Sequence, residues 1–151
     1  MKKPEERFEE LHQKTAAERF KELRQKYKDY TIESYQFAYD VLEDTLLKLK
    51  KNTKHLTIPE LLEGYRTYSI NAFGCLAKTV LNNMGIRETR DIGNIIFQLI
   101  EFDLMGKQER DRKEQFDNVY DFDVVFNLRP VFSYDSDRKK WEAQYIQRNN
   151  N

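Results

Sequence analysis

The chain has 151 residues, of which 26 are lysine or arginine and 26 are aspartate or glutamate, so its formal net charge is zero. This length accommodates one domain with short extensions and a sizeable hydrophobic core. Zero net charge provides no overall attraction to nucleic acid or to anionic lipid. The single cysteine, Cys75, excludes an intramolecular disulfide, and its place in an apolar helical stretch predicts a buried structural thiol.

The amino terminus shows no targeting signal. Met1-Lys2-Lys3 is followed by charged residues and not by an apolar segment, which predicts that the chain carries no secretory signal peptide. No apolar run approaches the roughly 20 residues that a membrane-spanning helix needs. We therefore expect a cytoplasmic protein with no membrane partner.

Residues 4–29 have the pattern of charged helices with a narrow apolar seam. Thr15 and Glu18 have the spacing of a capping box, in which the threonine hydroxyl and the glutamate each accept a backbone N–H, so a helix is predicted to begin there. Thr31 predicts the start of the next helix.

The strongest helical signals lie between Thr57 and Gly106. Thr57 and Glu60 form a second capping box, and apolar residues then recur at three- and four-residue steps. Gly85 is suited to the left-handed conformation that ends a helix. Thr89 is predicted to cap a further helix, which Gly106 ends. A helix, a turn and a second helix are therefore expected here.

The helical periodicity also predicts which side chains form the core. Phe73-Gly74 is expected to bend or split the first of these helices. The predicted core residues are Tyr39, Leu42, Leu46, Leu62, Tyr65, Ala72, Leu76, Val80, Ile96, Leu99 and Ile100.

The C-terminal segment alternates apolar and polar residues on both sides of Asp135-Ser136-Asp137, which predicts a β-hairpin. An isolated two-stranded ribbon is marginal in water, so it must dock on the helices or on another chain. Aromatic residues and arginine anchor protein interfaces. The candidate partner-binding residues are Tyr134, Arg138, Trp141 and Tyr145. The alternative for Trp141 is that it covers the end of this protein's own core.

The predicted fold class is mainly α, a compact multi-helix domain with a helix-turn-helix-like core and a C-terminal β-hairpin. Asp121 is expected to cap a short helix before the hairpin. The predicted parts are a charged helical extension at residues 1–14, a helical domain at 15–127, and the hairpin with its tail at 128–151.

Four segments of the chain resemble a family of short, uncharacterised bacterial conserved hypothetical proteins. They are SYQFAYDVLEDTL (34–46), HLTIPELLEGYRTYSINAFG (55–74), VLNNMGIRETRDIGNIIFQLIE (80–101) and NVYDFDVVF (118–126). The resemblance covers roughly residues 20–126. The resemblance implies a bacterial, soluble, single-domain protein. It implies no activity, ligand or site residue for this chain.

The chain supplies few residues for catalysis or for metal binding. His12, His55 and Cys75 are its only nitrogen or sulfur ligands of the zinc-binding type, and no two of them have ligand spacing. No glycine-rich phosphate loop and no Glu-x-x-His pair is present. We therefore expect no catalytic residue, no cofactor and no metal, although spacing does not test a triad assembled from distant residues.

We expect a non-enzymatic protein-interaction or adaptor domain, with a winged-helix-like nucleic-acid-binding regulator as the alternative and an enzyme or ligand binder as the remaining option. In the alternative, Arg87, Arg90 and Asn94 would contact nucleic acid and residues 107–122 would form a wing. Residues 57–106 contain four basic and six acidic side chains, a balance that disfavours phosphate binding. An unidentified protein partner is therefore expected and nucleic acid is not, while the oligomeric state stays open.

Overall fold

The computed structural model describes residues 3–107 and 111–148, so predictions for residues 1–2, 108–110 and 149–151, and for the side chain of His12, lie outside the described residues. The protein is mainly α-helical with one two-stranded antiparallel sheet, which confirms the predicted fold class. The helices are α1 (Pro4–His12), α2 (Ala16–Lys26), α3 (Ile32–Lys48), α4 (Ile58–Phe73), α5 (Ala77–Asn83), α6 (Thr89–Glu101) and α7 (Phe122–Val125). Two 3-10 helices lie at Gly74–Leu76 and Lys113–Phe116, and the strands are β1 (Leu128–Asp135) and β2 (Lys140–Gln147).

Threonine side chains cap the starts of α2, α3 and α4, as predicted. Thr15, Thr31 and Thr57 each accept a hydrogen bond from a backbone N–H in the first turn of the helix. At Thr15 and Thr57 the glutamate three residues later accepts the backbone N–H of the cap, so both capping boxes are complete. Each such cap stabilises its helix by about 1 kcal/mol.

The start of α6 differs from the prediction, because Glu88 and not Thr89 is the capping residue. The Asp91 carboxylate accepts the backbone N–H groups of Arg87 at 2.9 Å and of Glu88 at 3.1 Å. Thr89 is the first helical residue and is fully buried, and its hydroxyl donates to the Phe116 carbonyl at 2.6 Å. Thr89 therefore anchors the second 3-10 helix, a distant contact that its local sequence does not reveal.

Two glycines end helices where the sequence predicted. Gly74 has φ 56° and splits the α4 region, so the chain continues through a 3-10 turn into α5. Gly85 has φ 93° and follows α5, and the Ile86 N–H then donates to the Leu81 carbonyl at 2.9 Å. Both turns need the positive φ that glycine adopts without steric cost.

The end of α6 was predicted wrongly, because the helix stops at Glu101 and not near Gly106. Asp103 takes φ 53°, and the Leu104 N–H donates to the Leu99 carbonyl at 2.8 Å. Aspartate is one of the few residues other than glycine that visits the left-handed region readily.

The core lies between α3, α4 and α6, with Leu62, Tyr65, Ile96 and Leu99 buried as predicted. Within it the Tyr35 hydroxyl donates to the Gln98 side-chain oxygen at 2.5 Å, which satisfies two buried polar groups. Five further predicted core residues are only partly buried: Tyr39, Leu42, Leu46, Val80 and Ile100.

Three predicted buried positions around Gly74 are exposed, and those predictions were wrong. Ala72 and Cys75 lie on the surface, and Leu76 is 63% exposed. The break at Gly74 changes the direction of the chain, so the three- and four-residue spacing no longer identifies one face across it.

The N-terminal helices dock on the carboxyl end of α6 through Glu101. The Arg7 guanidinium lies 3.4 Å and the Lys26 ammonium 2.5 Å from Glu101 Oε1, and the Tyr27 hydroxyl donates to Oε2 at 2.6 Å. The carbonyl end of a helix disfavours a negative charge. Two cations and a hydroxyl compensate for this and hold α1 and α2 against the body.

Candidate interaction surface

The hairpin places its aromatic side chains on one face. In the register of the two strands Pro130 pairs with Tyr145, Phe132 with Ala143 and Tyr134 with Trp141. Because side chains alternate between the two faces of a strand, these six residues share one face of the ribbon, which we call the aromatic face. The opposite face carries Arg129, Val131, Ser133, Asp135, Lys140, Glu142, Gln144 and Ile146.

The outer half of the aromatic face is open to solvent. Phe132 is 69% exposed, Tyr134 52% and Trp141 73%. The rings of Tyr134 and Trp141 contact each other across the strands, with their centroids 5.3 Å apart. Such a cross-strand aromatic pair stabilises the ribbon, but it leaves most of both rings in water.

The base of the hairpin is fixed to the helical body. Leu128 is buried, and the Tyr145 ring lies against Gly74, where an added Cβ atom would be 2.5 Å from Tyr145 Cζ. The Arg148 backbone N–H donates to the Asn127 carbonyl at 2.9 Å, and Arg148 Nε donates to the Leu128 carbonyl at 3.2 Å. The ribbon is thus docked at one end and exposed at the other.

The turn of the hairpin is held by Asp135. Its carboxylate accepts the backbone N–H groups of Asp137 at 3.0 Å and Arg138 at 3.1 Å. The Arg138 guanidinium pairs with Asp135 at 2.8 Å and with Glu142 at 2.7 Å. The backbone N–H and the guanidinium of Arg138 lower the pKa of Asp135 below its ordinary value. Arg138 therefore stands at the tip of the ribbon with intramolecular partners of its own.

Of the four predicted partner-binding residues, the structure brings three to the exposed tip, namely Tyr134, Arg138 and Trp141. Tyr145 instead contributes to the docked base and is 37% exposed. Phe132 belongs to the exposed surface but was not among the predicted residues. The same alternation that identified Tyr134 would have identified it.

The three residues that would contact nucleic acid in the alternative function lie around the start of α6. Two of their side chains already bond to other side chains of this protein. Arg90 forms a two-point ion pair with Asp117, with Nε and Nη2 at 2.9 Å and 3.0 Å from the carboxylate. The hydrogen bond from Arg90 lowers the pKa of Asp117. Asn94 donates to the Tyr30 hydroxyl at 2.8 Å. The Arg87 side chain is exposed.

The segment expected as a wing contains no strand in its described part. Residues 111–122 include the 3-10 helix at Lys113–Phe116 and the start of α7, which Asp121 caps as predicted. Residues 108–110 of that segment lie outside the described residues. The α5–turn–α6 unit is present, while both strands of the described sheet belong to the C-terminal hairpin.

In the described parts of the chain no three histidine, cysteine, aspartate or glutamate residues are grouped to hold a metal ion. Within those same parts, no helix combines the length and the apolar character needed to cross a bilayer.

Comparison with protein-family models, with curated proteins and with solved structures finds no match to this chain. The resemblance to a bacterial family stays a prediction.

Proposed function

We propose that this protein is a non-enzymatic interaction or adaptor domain, which binds a partner protein through the exposed end of the aromatic face. The observation that carries the proposal is the exposure of Phe132, Tyr134 and Trp141 on a ribbon whose base is docked. Tyrosine and tryptophan are the residues most often found as binding anchors in protein interfaces.

The size of the exposed surface supports a protein partner. A large aromatic side chain buries about 150–250 Å² when it is fully covered. At the exposures observed, the three rings leave on the order of 400 Å² in water, which matches the largest apolar patch of a typical monomer, often a functional one. We infer that covering this patch drives the association.

The backbone of the ribbon supplies a second means of binding. The described sheet has two strands, so β1 and β2 each have one edge without a strand partner among the described residues. A partner segment in extended conformation could add a strand to either edge, with specificity from the aromatic side chains.

The nucleic-acid alternative has weaker support. Arg90 is already paired with Asp117, and Asn94 with Tyr30, so contact with phosphate or base would require these bonds to break. Breaking the two-point ion pair of Arg90 costs free energy, which reduces the net free energy of binding to nucleic acid.

A capture experiment with matched variants tests the proposal. The double variant Phe132→Ser/Trp141→Ser removes the two most exposed rings of the aromatic face. The control Val131→Ser/Ile146→Ser removes apolar groups of 39% and 40% exposure from the opposite face. The tagged proteins are incubated with bacterial lysate at two salt concentrations, with and without nuclease. We expect a protein partner to be retained by the wild type and by the second variant and lost from the first.

Trp141 is the only tryptophan of the chain and reports the contact directly. When the purified partner binds, its fluorescence should shift to shorter wavelength and lose accessibility to acrylamide, because the ring leaves water. Equal retention by the two double variants, or binding that nuclease abolishes, would contradict the proposal.

A further inference from the structure

A cavity of about 520 Å³ lies between α3, α4 and α6, on residues that the aromatic face does not use. Its size falls within the range of small-molecule sites. Ile58, Leu61, Ile96 and Phe116 line it and are buried, so they form its floor.

The walls present apolar atoms to the cavity. The Tyr39 hydroxyl donates to the Leu104 carbonyl, so this side chain offers only its ring to an occupant. Leu42 and Ile100 add aliphatic surface, and Met105 adds a flexible thioether that adapts to irregular shapes. An occupant of this interior must have an apolar body.

The opening of the cavity carries side chains that can donate hydrogen bonds. Lys54 and His55 line the cavity and are exposed, which places the opening beside them. Among the described lining residues, Lys54 is the only ammonium and Asp111 the only carboxylate. Lys54 and His55 are neighbours in the chain and together offer hydrogen-bond donors to an acidic group of an occupant at the opening.

We propose that the cavity binds a small amphipathic carboxylate, such as a medium-chain fatty acid. The apolar chain lies on the floor formed by α4 and α6, and the carboxylate lies at the opening between Lys54 and His55. A lysine ammonium provides up to three donors and an imidazole one, which matches the two oxygens of a single carboxylate. An apolar cavity with a few convergent polar groups is the usual form of a ligand site.

Decanoate and decanamide are the test ligands, because they share a chain and differ in charge. Calorimetric titration of the full chain should give a decanoate dissociation constant on the order of 100 µM, from the typical affinity per heavy atom of small ligands. Decanamide should bind about twofold to fivefold more weakly, the factor expected for one partly exposed charge pair. Equal affinity for the two would overturn the assignment of a carboxylate site.

Variants locate the binding. Lys54→Met should weaken decanoate binding about twofold to fivefold and leave decanamide unchanged. Lys28→Met, at an exposed lysine outside the cavity, should change neither. Ile100→Phe and Leu42→Phe fill the cavity from different helices, and each should weaken both ligands at least tenfold while the circular dichroism stays helical. Phe132→Ser/Trp141→Ser should bind decanoate as the wild type does.

Two results would contradict a carboxylate site in the cavity. Loss of decanoate binding in the hairpin variant, with retention in both cavity variants, would place the ligand on the aromatic face and overturn the inference. Absence of heat and of any melting shift at millimolar decanoate in the wild type would show that the cavity takes no such ligand.

Discussion

The ring of Tyr145 and the backbone of Gly74 lie so close that a Cβ atom added to Gly74 would stand 2.5 Å from Tyr145 Cζ. Gly74 has φ 56° and ψ −128°, a conformation that residues with a side chain rarely adopt. The same glycine therefore allows the helix to break and allows the hairpin to dock.

Gly74→Ala should destabilise the protein by at least about 2 kcal/mol, from backbone strain together with the clash against Tyr145. Gly106→Ala is the matched control, because the nearest atom to an added Cβ there is 3.8 Å away, and it should change the unfolding free energy by less than about 0.5 kcal/mol. Urea denaturation measures both. In a Tyr145→Ala background the cost of Gly74→Ala should fall; an unchanged cost would show that the clash contributes nothing.

Leu99→Ala should lower the unfolding free energy by about 2–5 kcal/mol, because Leu99 is 0% exposed in the core and its truncation leaves a cavity. Leu76→Ala makes the same chemical change at a position that is 63% exposed, and should cost less than about 0.5 kcal/mol. Denaturant melts of the two variants give the comparison. Similar losses at both positions would contradict the described core.

Glu101→Gln should remove part of the protein's stability at neutral pH and little of it in acid. Partial burial raises the pKa of Glu101, but the bonds from Lys26 and Tyr27 outweigh burial, so the pKa lies below its ordinary value of 4.5. Stability from the carboxylate is therefore fully present above about pH 4.5 and is lost as pH falls through the lower folded-state pKa.

The expected loss at pH 7 is about 1 kcal/mol, since the partners are partly exposed. Melts of Glu101→Gln from pH 7 to pH 3 should converge on the wild type at the acid end. Glu43→Gln, an exposed glutamate in α3, serves as the control. A constant difference between Glu101→Gln and wild type across this range would refute the linkage.

Deletion of residues 128–151 should lower the melting temperature by roughly 5 °C, because Leu128 is buried and Tyr145 packs on Gly74. The same deletion should abolish capture of the partner protein. Calorimetric melting and sedimentation measure the two effects separately. A truncated chain with unaltered melting and unaltered association would show that the hairpin has neither role.

Nucleic-acid binding should be weak and without sequence preference at physiological salt, because residues 57–106 carry a net charge of −2 and Arg90 is paired with Asp117. Gel-shift titrations with several duplexes provide the measurement. Submicromolar, sequence-selective binding that is abolished by Arg87→Ala/Arg90→Ala would favour the nucleic-acid-binding regulator over the protein-interaction domain.

Local features of the fold were predictable because their causes lie within a few residues. A capping box such as that of Thr57 and Glu60 needs only two side chains three positions apart. The turn at Gly85 needs one residue with positive φ. The hairpin follows from alternation in two neighbouring segments. Each of these patterns depends only on residues that are close together in the sequence.

Features around Gly74 were not predictable in the same way. Helical spacing assigned Ala72, Cys75 and Leu76 to the core, and all three are exposed. Periodicity carries information about a face only while the helix continues. Gly74 was identified as a point of change, but the direction the chain takes beyond it depends on how α4 and α5 pack.

The sequence by itself determined the helical class, most helix starts, the hairpin and the aromatic residues on it, since these depend on local conformational preference and on alternation. The tertiary structure alone decided that Tyr145 docks while Phe132 and Trp141 stay exposed. It also decided that three helices line an open cavity beside Lys54 and His55. The physical reason is that solvent exposure and enclosed volume depend on contacts between residues distant in the chain, which no local pattern specifies.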